Sequence, residues 1–460
     1  MKRHAVTQTE EVGEQGGALA GPPRPGLVLL SVAGRPLTLP MPFVGDAIDI
    51  GREAAAFATL VDPLLSRRHA RVTFDGGRFT VHDLGSRNGT AVDGQRIHGA
   101  HTSASARVLR AGGTVALLCA DIRPFLTGVS VSDELVMGPA LRAAWDAIGR
   151  AARSTSTLHV SGESGTGKEL AARAFHQRGP RARGPFVAVN CAAIPEGVAE
   201  RLLFGARKGA YSGAASDADG YLQAAHDGTL FLDEIAELHL TVQAKLLRVL
   251  ETREVLALGA AQPRPVNLSV CSATHRELRA EVAAGRLRAD LYFRIGRPDV
   301  ALPPLRERLE EIPWLIAREL GRADAALTAQ AAFVESCLLR PWPGNLRELL
   351  AEVRSAAQQA LAAGSAEVTE QHLAPQAGRA LTVTTTAAPP ASAPARSVKS
   401  PPRTGPLDRP RKEALAALLA KHGGVVQAVA ADLGCSRRQI GRWLQEYQIS
   451  RPPRARRPED

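Results

Sequence analysis

Between residues 26 and 120, short apolar runs alternate with turn-forming dipeptides, which predicts strands joined by tight turns. Residues 27–30, 48–50, 70–74 and 79–82 have the length and β-branched or aromatic character of strands. Asp75-Gly76-Gly77, Asn88-Gly89 and Asp93-Gly94 supply the turns. Little helical periodicity intervenes, so 26–120 is expected to be an all-β sandwich. From about Ser130 helical stretches alternate with short apolar strands, the pattern of an α/β sheet, assigned to 132–304. Residues 305–376 read as helical only. Residues 377–408 are rich in Ala, Pro, Thr and Ser and read as a linker. In 409–450 a helix, a turn at Gly434 and a second helix follow. Ile440, Trp443, Leu444 and Tyr447 stand there at i, i+3, i+4 and i+7, one buried stripe. The polar ends, 1–25 and 451–460, read as a disordered segment and a basic tail.

A length of 460 residues is too great for one core and agrees with a multidomain chain. Charge sharpens the picture at one end. Residues 396–460 carry fourteen Lys/Arg against six Asp/Glu, so +8 of the whole chain's net +11 lies there. That concentration suits a nucleic-acid partner or, equally on charge alone, a solvated tail. The five cysteines are scattered without a CxxC pair, which argues for reduced thiols over a disulfide framework. Neither a signal-peptide core nor a membrane-length apolar run occurs, so a soluble cytoplasmic protein with no membrane partner is expected.

Two motifs carry chemistry. Gly162-Glu163-Ser164-Gly165-Thr166-Gly167-Lys168 follows a predicted strand and opens a helix. Its glycines let backbone N–H groups turn toward phosphates, the helix N-terminus favours an anion, and Lys168 reaches the outer phosphates. Glu169 stands where a Ser or Thr usually offers magnesium a hydroxyl, so the metal must use other ligands. The apolar strand 229–232 ends in Asp233-Glu234, with Asp233 suited to magnesium and Glu234 to polarising the attacking water. In order and on the expected elements, the pair predicts ATP and Mg2+ as ligands.

These motifs stand with Val187-Ala188-Val189-Asn190-Cys191, Gln243-Ala244-Lys245-Leu246-Leu247, Leu302-Pro303-Pro304-Leu305-Arg306 and Trp342-Pro343-Gly344-Asn345-Leu346-Arg347. Over about 132–376 the whole set resembles the central AAA+ domain of sigma-54-dependent activators, in which a Glu after the lysine is usual. The resemblance implies a P-loop ATPase core (132–304) with a helical lid (305–376). It further implies that Gly209, Ala210, Tyr211, Ser212, Gly213 and Ala214 form the loop that grips the sigma factor, with Tyr and Ser replacing the usual Phe and Thr. By the same resemblance Asn190 holds the catalytic glutamate in a switched-off position. Arg288 and Arg294 enter a neighbouring subunit's site in a ring, commonly a hexamer, and Arg347 touches nucleotide from the lid. Ser272-Ala273-Thr274-His275 aligns with a sensor whose usual residues are Thr-Asn, so His275 is either a donor there or a loop histidine without a catalytic part.

Gly51-Arg52, Ser66-Arg67-Arg68-His69 and Ser86-Arg87-Asn88-Gly89-Thr90 resemble a forkhead-associated (FHA) domain spanning about 27–119. A phosphothreonine needs charge-assisted donors from loops at one end of a rigid sandwich. The resemblance assigns the phosphate to Arg52 and Ser66, the peptide backbone to Asn88 and the site's edges to Arg67 and Arg87; His69 braces the loops from behind. A phosphothreonine protein or a serine/threonine kinase is the implied partner. The end of the chain resembles a Fis-type helix-turn-helix, with Arg437, Arg438, Gln439 and Arg442 outside the buried stripe and facing upstream enhancer DNA. Together these features imply an ATP-hydrolysing activator acting on sigma-54 RNA polymerase holoenzyme. Two rivals stand beside it: a phosphopeptide adaptor with a degenerate ATPase, and a repressor that uses nucleotide only as a ligand. Lys168, Asp233, Glu234, Arg288 and Arg294 argue against the first, and the 209–214 loop against the second.

Overall fold

The structure, a computed structural model, describes residues 21–211, 214–380, 412–422, 426–433, 437–447 and 449. It divides into two compact units, Met1–Val383 and Thr384–Asp460.

The first unit opens with β1 (Gly26–Val32), β2 (Arg35–Pro42), β3 (Ala47–Ile50), β4 (Ala70–Asp75), β5 (Arg78–Asp83), β6 (Thr90–Val92), β7 (Gln95–Ile97), β8 (Ala100–Ser103), β9 (Val108–Ala111) and β10 (Thr114–Cys119). They form a six-stranded sheet, β2-β1-β10-β9-β6-β7, and a four-stranded sheet, β3-β4-β5-β8. Period-2 side-chain alternation sends Leu27 and Leu29 of β1 and Ala116 and Leu118 of β10 inward, against Ile50, Val72 and Val81 of the facing sheet. The chain is already hydrogen-bonded ahead of β1: Arg24 N–H donates to Asp121 Oδ1, and its carbonyl accepts from Ile122 N–H. The chain is therefore tied into the fold ahead of the expected boundary at residue 26.

A two-stranded hairpin, β11 (Ser130–Val131) and β12 (Val136–Met137), leads into α1 (Pro139–Ser154) and the α/β domain. There β13 (Thr157–Ser161), α2 (Lys168–Arg178), β14 (Phe186–Asn190), α3 (Glu196–Phe204), α4 (Tyr221–Ala224), β15 (Thr229–Asp233), α5 (Leu240–Thr252), the small pair β16 (Glu254–Val255) and β17 (Arg264–Pro265), β18 (Ser269–Thr274), α6 (Leu278–Ala283), α7 (Ala289–Ile295) and β19 (Asp299–Ala301) follow. The main sheet, β14-β15-β18-β13-β19, is parallel. Its strands are nearly continuous apolar runs because both faces are covered. On one side Trp145, Ile148 and Phe175 of α1 and α2 pack on Leu158, Val160 and Phe231. On the other, Leu203, Leu246 and Leu291 of α3, α5 and α7 pack on Leu230, Leu232 and Val270.

The lid comprises α8 (Ile312–Ala323), α9 (Ala331–Leu339) and α10 (Asn345–Ala362). It is not helical only: β20 (Thr328–Ala329) and β21 (Glu367–Val368) pair in parallel. Nor does it stop at 376, because Ala377 is buried and Gly378 N–H donates to Glu348 Oε1 at 2.8 Å. Gly378, at φ +64°, lies so close to the Trp342 ring that a Cβ would stand 2.7 Å from it.

The sandwich packs directly on this lid. Val28 and Leu30, on the outer face of β1, join Val115 and Leu117 of β10 in one core with Ile316 and Leu320 of α8 and Phe333 and Val334 of α9. Burying such a side chain contributes roughly 1.5–3 kcal/mol. Polar contacts fix the register: Arg110 Nε donates to Glu335 Oε2 at 2.5 Å, Gly94 N–H to Glu335 Oε1 at 3.1 Å, and Trp314 Nε1–H to Thr38 Oγ1 at 3.1 Å.

The second unit has α11 (Lys412–Lys421), α12 (Val426–Asp432) and α13 (Arg437–Glu446). Leu415, Leu419, Val429, Ile440, Trp443 and Leu444 form its core, with Tyr447 partly buried against it. The expected disordered segment up to residue 20, the linker from 381 to 408 and the 451–460 tail lie outside the described residues. No helix among the described residues is long and apolar enough to cross a membrane.

Candidate nucleotide site and ligand-reading loops

The strands β13, β15 and β18 end side by side, and the functional groups lie at their carboxyl ends, where parallel α/β sheets place ligands. The loop from Gly162 to Gly167 joins β13 to α2. Gly167, at φ +104°, delivers Lys168 as the first residue of the helix. Gly165, at φ +77°, is pressed against the lid, and a Cβ there would sit 2.2 Å from the Gly344 carbonyl oxygen. Thr166 Oγ1 donates to the Glu163 carbonyl at 2.9 Å. Lys168 Nζ donates to the Gly162 and Glu163 carbonyls at 3.0 and 3.3 Å and lies 3.9 Å from Glu234 Oε1. Burial lowers the pKa of its ammonium, opposed by Glu234 and Asp233. Glu169 pairs with Arg173 one turn along α2, at 2.7 Å.

A cavity of about 1010 Å³ opens around these groups, with Ser164, Lys168, Asn190, Asp233, Glu234 and Arg347 among its walls. Burial, reinforced by Glu234, holds the Asp233 carboxyl above its usual pKa. A cation beside Asp233 would relieve that strain on its charged form, and one carboxylate plus substrate phosphates is a donor set magnesium accepts, so Asp233 fits the expected metal. Glu234 occupies a left-handed conformation, φ +52°, and Thr274 Oγ1 and the His275 ring bond to its Oε2 at 3.0 and 2.9 Å. Burial would raise its pKa, but the bonds from His275 and Thr274 and the charge of Lys168 hold it below the usual value. His275 therefore sits in the site as a partner of Glu234. Asn190 does not hold Glu234 here. Its Oδ1 instead accepts from Ala192 N–H at 3.0 Å, capping the turn that follows β14.

The lid reaches the phosphate loop through Arg347 and through two groups, Asn345 and Arg306, that the sequence reading left without roles. Asn345 Nδ2 donates to Glu163 Oε2 and to the Ser164 carbonyl at 3.1 and 3.0 Å, and Arg306 makes two bonds to Glu163 at 2.9 and 2.7 Å. Arg347 Nη1 donates to Ser164 Oγ at 3.2 Å. Arg288 precedes α7 and pairs with Asp290, and Arg294, in the last turn, donates to the Leu250 carbonyl at 2.9 Å. Neither is among the residues lining this chain's own cavity.

The 209–214 loop follows α3 in the chain. Gly209 N–H donates to the Ala214 carbonyl, Ala210 N–H to the Arg207 carbonyl, and Ala214 N–H to the Tyr211 carbonyl, each at 3.0 Å. Arg201 Nη1 donates to Tyr211 Oη at 2.9 Å and lies over its ring, 5.5 Å from the centroid. Ser212 and Gly213 lie outside the described residues.

In the sandwich, three loops converge at one end. Arg52 N–H donates to the Ser66 carbonyl at 3.0 Å, and Arg87 N–H to Ser66 Oγ at 3.1 Å. Asn88 Nδ2 donates to the Leu64 carbonyl at 2.7 Å. Arg52, Arg67, Arg87 and Asn88 are exposed, and Arg67 stands 4.0 Å from Glu53. Buried His69 lies behind them: Ser66 N–H donates to its Nδ1 at 3.0 Å, and its Nε2 meets the Gly89 carbonyl at 3.1 Å. Burial lowers its pKa, which favours the neutral ring that can accept at one nitrogen and donate at the other. Asp83, which the sequence reading missed, anchors the third loop through Ser86 Oγ and Thr90 Oγ1 at 2.5 and 2.6 Å. On α13, Arg442 is exposed; the side chains of Arg437, Arg438 and Gln439 lie outside the description.

The parallel sheet, phosphate loop, paired acids and helical lid define a P-loop nucleotide-binding domain of the AAA+ kind. Family models agree along the chain: an FHA domain matches residues 48–116, a sigma-54 interaction domain 135–301 and a homeodomain-like domain 408–456. The response regulator protein PilR of Pseudomonas aeruginosa is 46% identical over 218 residues, 46% of this chain and 48% of that protein. A Nif-specific regulatory protein of Azotobacter vinelandii is 40% identical over 339 residues, 72% of this chain and 62% of that one. The transcriptional regulatory protein ZraR of Klebsiella oxytoca is 38% identical over 309 residues, 66% of each. The chain belongs to the sigma-54-dependent transcriptional regulators, with an FHA domain in front and a helix-turn-helix domain behind. It spans about half the length of the first curated relatives it matches.

Proposed function

We propose that this cytoplasmic protein is an ATP-driven activator that remodels sigma-54 RNA polymerase at promoters, reaches upstream enhancer DNA through a Fis-type helix-turn-helix, and is controlled by phosphothreonine at its FHA domain. Lys168, Ser164 and Arg347 bind the phosphates of ATP. Asp233 holds Mg2+, which neutralises charge on the transferring phosphoryl group when bound. Glu234 polarises the attacking water, with Thr274 and His275 orienting its carboxylate. Arg288 and Arg294, which do not line their own chain's cavity, act on the neighbour's nucleotide in a hexameric ring. An arginine supplied this way is worth roughly 10³–10⁵ in rate, so hydrolysis follows assembly. The 209–214 loop grips the sigma factor. A phosphothreonine protein, delivered by a serine/threonine kinase, docks on Arg52 and Ser66 with Asn88 along its backbone and Arg67 and Arg87 at the rim. Arg437, Arg438, Gln439 and Arg442 face the DNA.

The observation that carries this reading is Glu234, held by Thr274 and His275 beside Lys168 at the edge of a nucleotide-sized cavity. The test is open-complex formation by sigma-54 polymerase with purified protein. Ser212→Ala should keep ATP hydrolysis and lose promoter opening; wild-type opening by that variant sinks the loop assignment. In parallel, the full chain should bind a phosphothreonine peptide tens- to hundreds-fold more tightly than the unmodified peptide. If Arg52→Ala binds the phosphopeptide as well as wild type, phosphothreonine control falls.

A further inference from the structure

The nucleotide cavity continues well past the phosphate loop. Along α2 it is lined from Lys168 to Gln177, about 14 Å at 1.5 Å per residue. Its lining also includes apolar side chains from four elements: Leu135 and Val136 ahead of α1, Trp145 on α1, Leu315 on α8 and Leu350 on α10. A flat, partly apolar group attached to a phosphate chain at Lys168 fits that slot. Two cations of α8 also face it, Arg318 and Arg322.

The two arginines differ in one respect. Arg322 is engaged, donating to Glu319 Oε2 at 3.4 Å and to the Asp133 carbonyl at 3.2 Å. Arg318 has its Nε and Nη1 buried without a hydrogen-bond partner among the described residues. A guanidinium has no acceptor atom and stays charged, so such donors can be satisfied only by an acceptor brought to them. Burial, with neighbouring Arg322, disfavours its charged form, and Glu319 opposes this only in part. Arg318 lines the cavity one turn of α8 beyond Leu315, with its unpaired Nε and Nη1 buried just behind that wall.

We infer that Arg318 is a nucleotide-positioning residue that donates to acceptor atoms of the nucleoside half of ATP, the base ring nitrogens or the ribose hydroxyls. This rests on the cavity being the ATP site. The lid would then grip both halves of the nucleotide, Arg347 at the phosphates and Arg318 at the nucleoside.

Isothermal titration of the full chain tests it with ATP, 2′-deoxy-ATP and inorganic triphosphate, against Arg318→Met and Arg318→Lys. Arg318→Met keeps the length and removes every donor. It should weaken ATP binding by about 10- to 100-fold, the loss of one or two charge-assisted bonds, and leave triphosphate binding within about twofold. Arg318→Lys should recover part of the loss. A ribose contact predicts that 2′-deoxy-ATP is already weakened with wild type and little further by Arg318→Met; a base contact predicts the full loss for both nucleotides. The melting temperature without nucleotide should hold or rise, because an unsatisfied buried cation is removed. Equal weakening of ATP and triphosphate, unchanged ATP affinity, or a lower melting temperature with all ligands weakened overturns the assignment. Failure of the wild-type chain to bind ATP overturns instead the nucleotide-site reading itself.

Discussion

The junction between sandwich and lid joins the domain proposed to bind phosphothreonine to the lid of the proposed nucleotide site, and Glu335 is the residue through which to test it. Its side chain is 4% exposed and that of Arg110 24%, with 2.5 Å between Nε and Oε2. Glu335→Ala leaves the Arg110 guanidinium partly buried and unpaired and orphans the Gly94 N–H. Breaking a fully buried pair costs about 3–5 kcal/mol. Because Arg110 keeps access to water, about 2–4 kcal/mol of docking free energy is the reasonable loss, including the Gly94 bond. That raises the undocked population by tens- to hundreds-fold. Native-state hydrogen exchange reads it directly: the amides of α9, and of β1 whose outer face α9 covers, should exchange faster by that factor. The double variant Arg110→Met with Glu335→Leu removes both charges from the same space and should restore most of the protection. Unchanged exchange in Glu335→Ala, with the chain still folded, would refute the reasoning that this pair clamps the two domains.

Other outcomes follow from the same geometry. Arg294→Ala should bind ATP and hardly turn it over, and mixing it with Glu234→Gln should restore activity through hybrid sites; mixtures that stay inactive tell against shared sites. Thr274→Val combined with His275→Ala should lower kcat by about 10- to 100-fold, the worth of a charge-assisted bond orienting Glu234, whereas His275→Asn should retain most turnover; an unchanged kcat in the double variant removes the two residues from the mechanism. Burial pushes the Glu310 carboxyl up to about 7 from its ordinary 4.5. Its contribution to stability is therefore fully present below about pH 4.5 and is lost as pH rises through 7, about 3 kcal/mol in all. Glu310→Gln should raise the melting temperature at pH 8 and change it little at pH 4.5; the reverse pattern contradicts the buried, protonated state.

The local geometry of the candidate site was largely legible in the sequence because its signals are local. A phosphate loop needs glycines at fixed offsets, since the backbone itself must turn inward, and Gly165 and Gly167 do adopt left-handed conformations between β13 and α2. Strand alternation predicted the sandwich, and the stripe of Ile440, Trp443 and Leu444 predicted the buried face of α13. One further signal was available and means more than a strand. The unbroken apolar run Leu27-Val28-Leu29-Leu30 cannot be served by one face, because successive side chains point oppositely.

What covers the second face was decided only by tertiary structure. The lid that does so lies some three hundred residues along the chain, and Arg110 and Glu335 meet across 225 positions with no local pattern linking them. The same holds for Asn345 and Arg306 on Glu163, and for Thr274 and His275 on Glu234. Spacing along a chain specifies backbone turns and amphipathic faces, which depend on neighbouring residues. Which of many similar charged side chains becomes buried, and against which partner, depends on how completed elements pack, and that was written only in the fold.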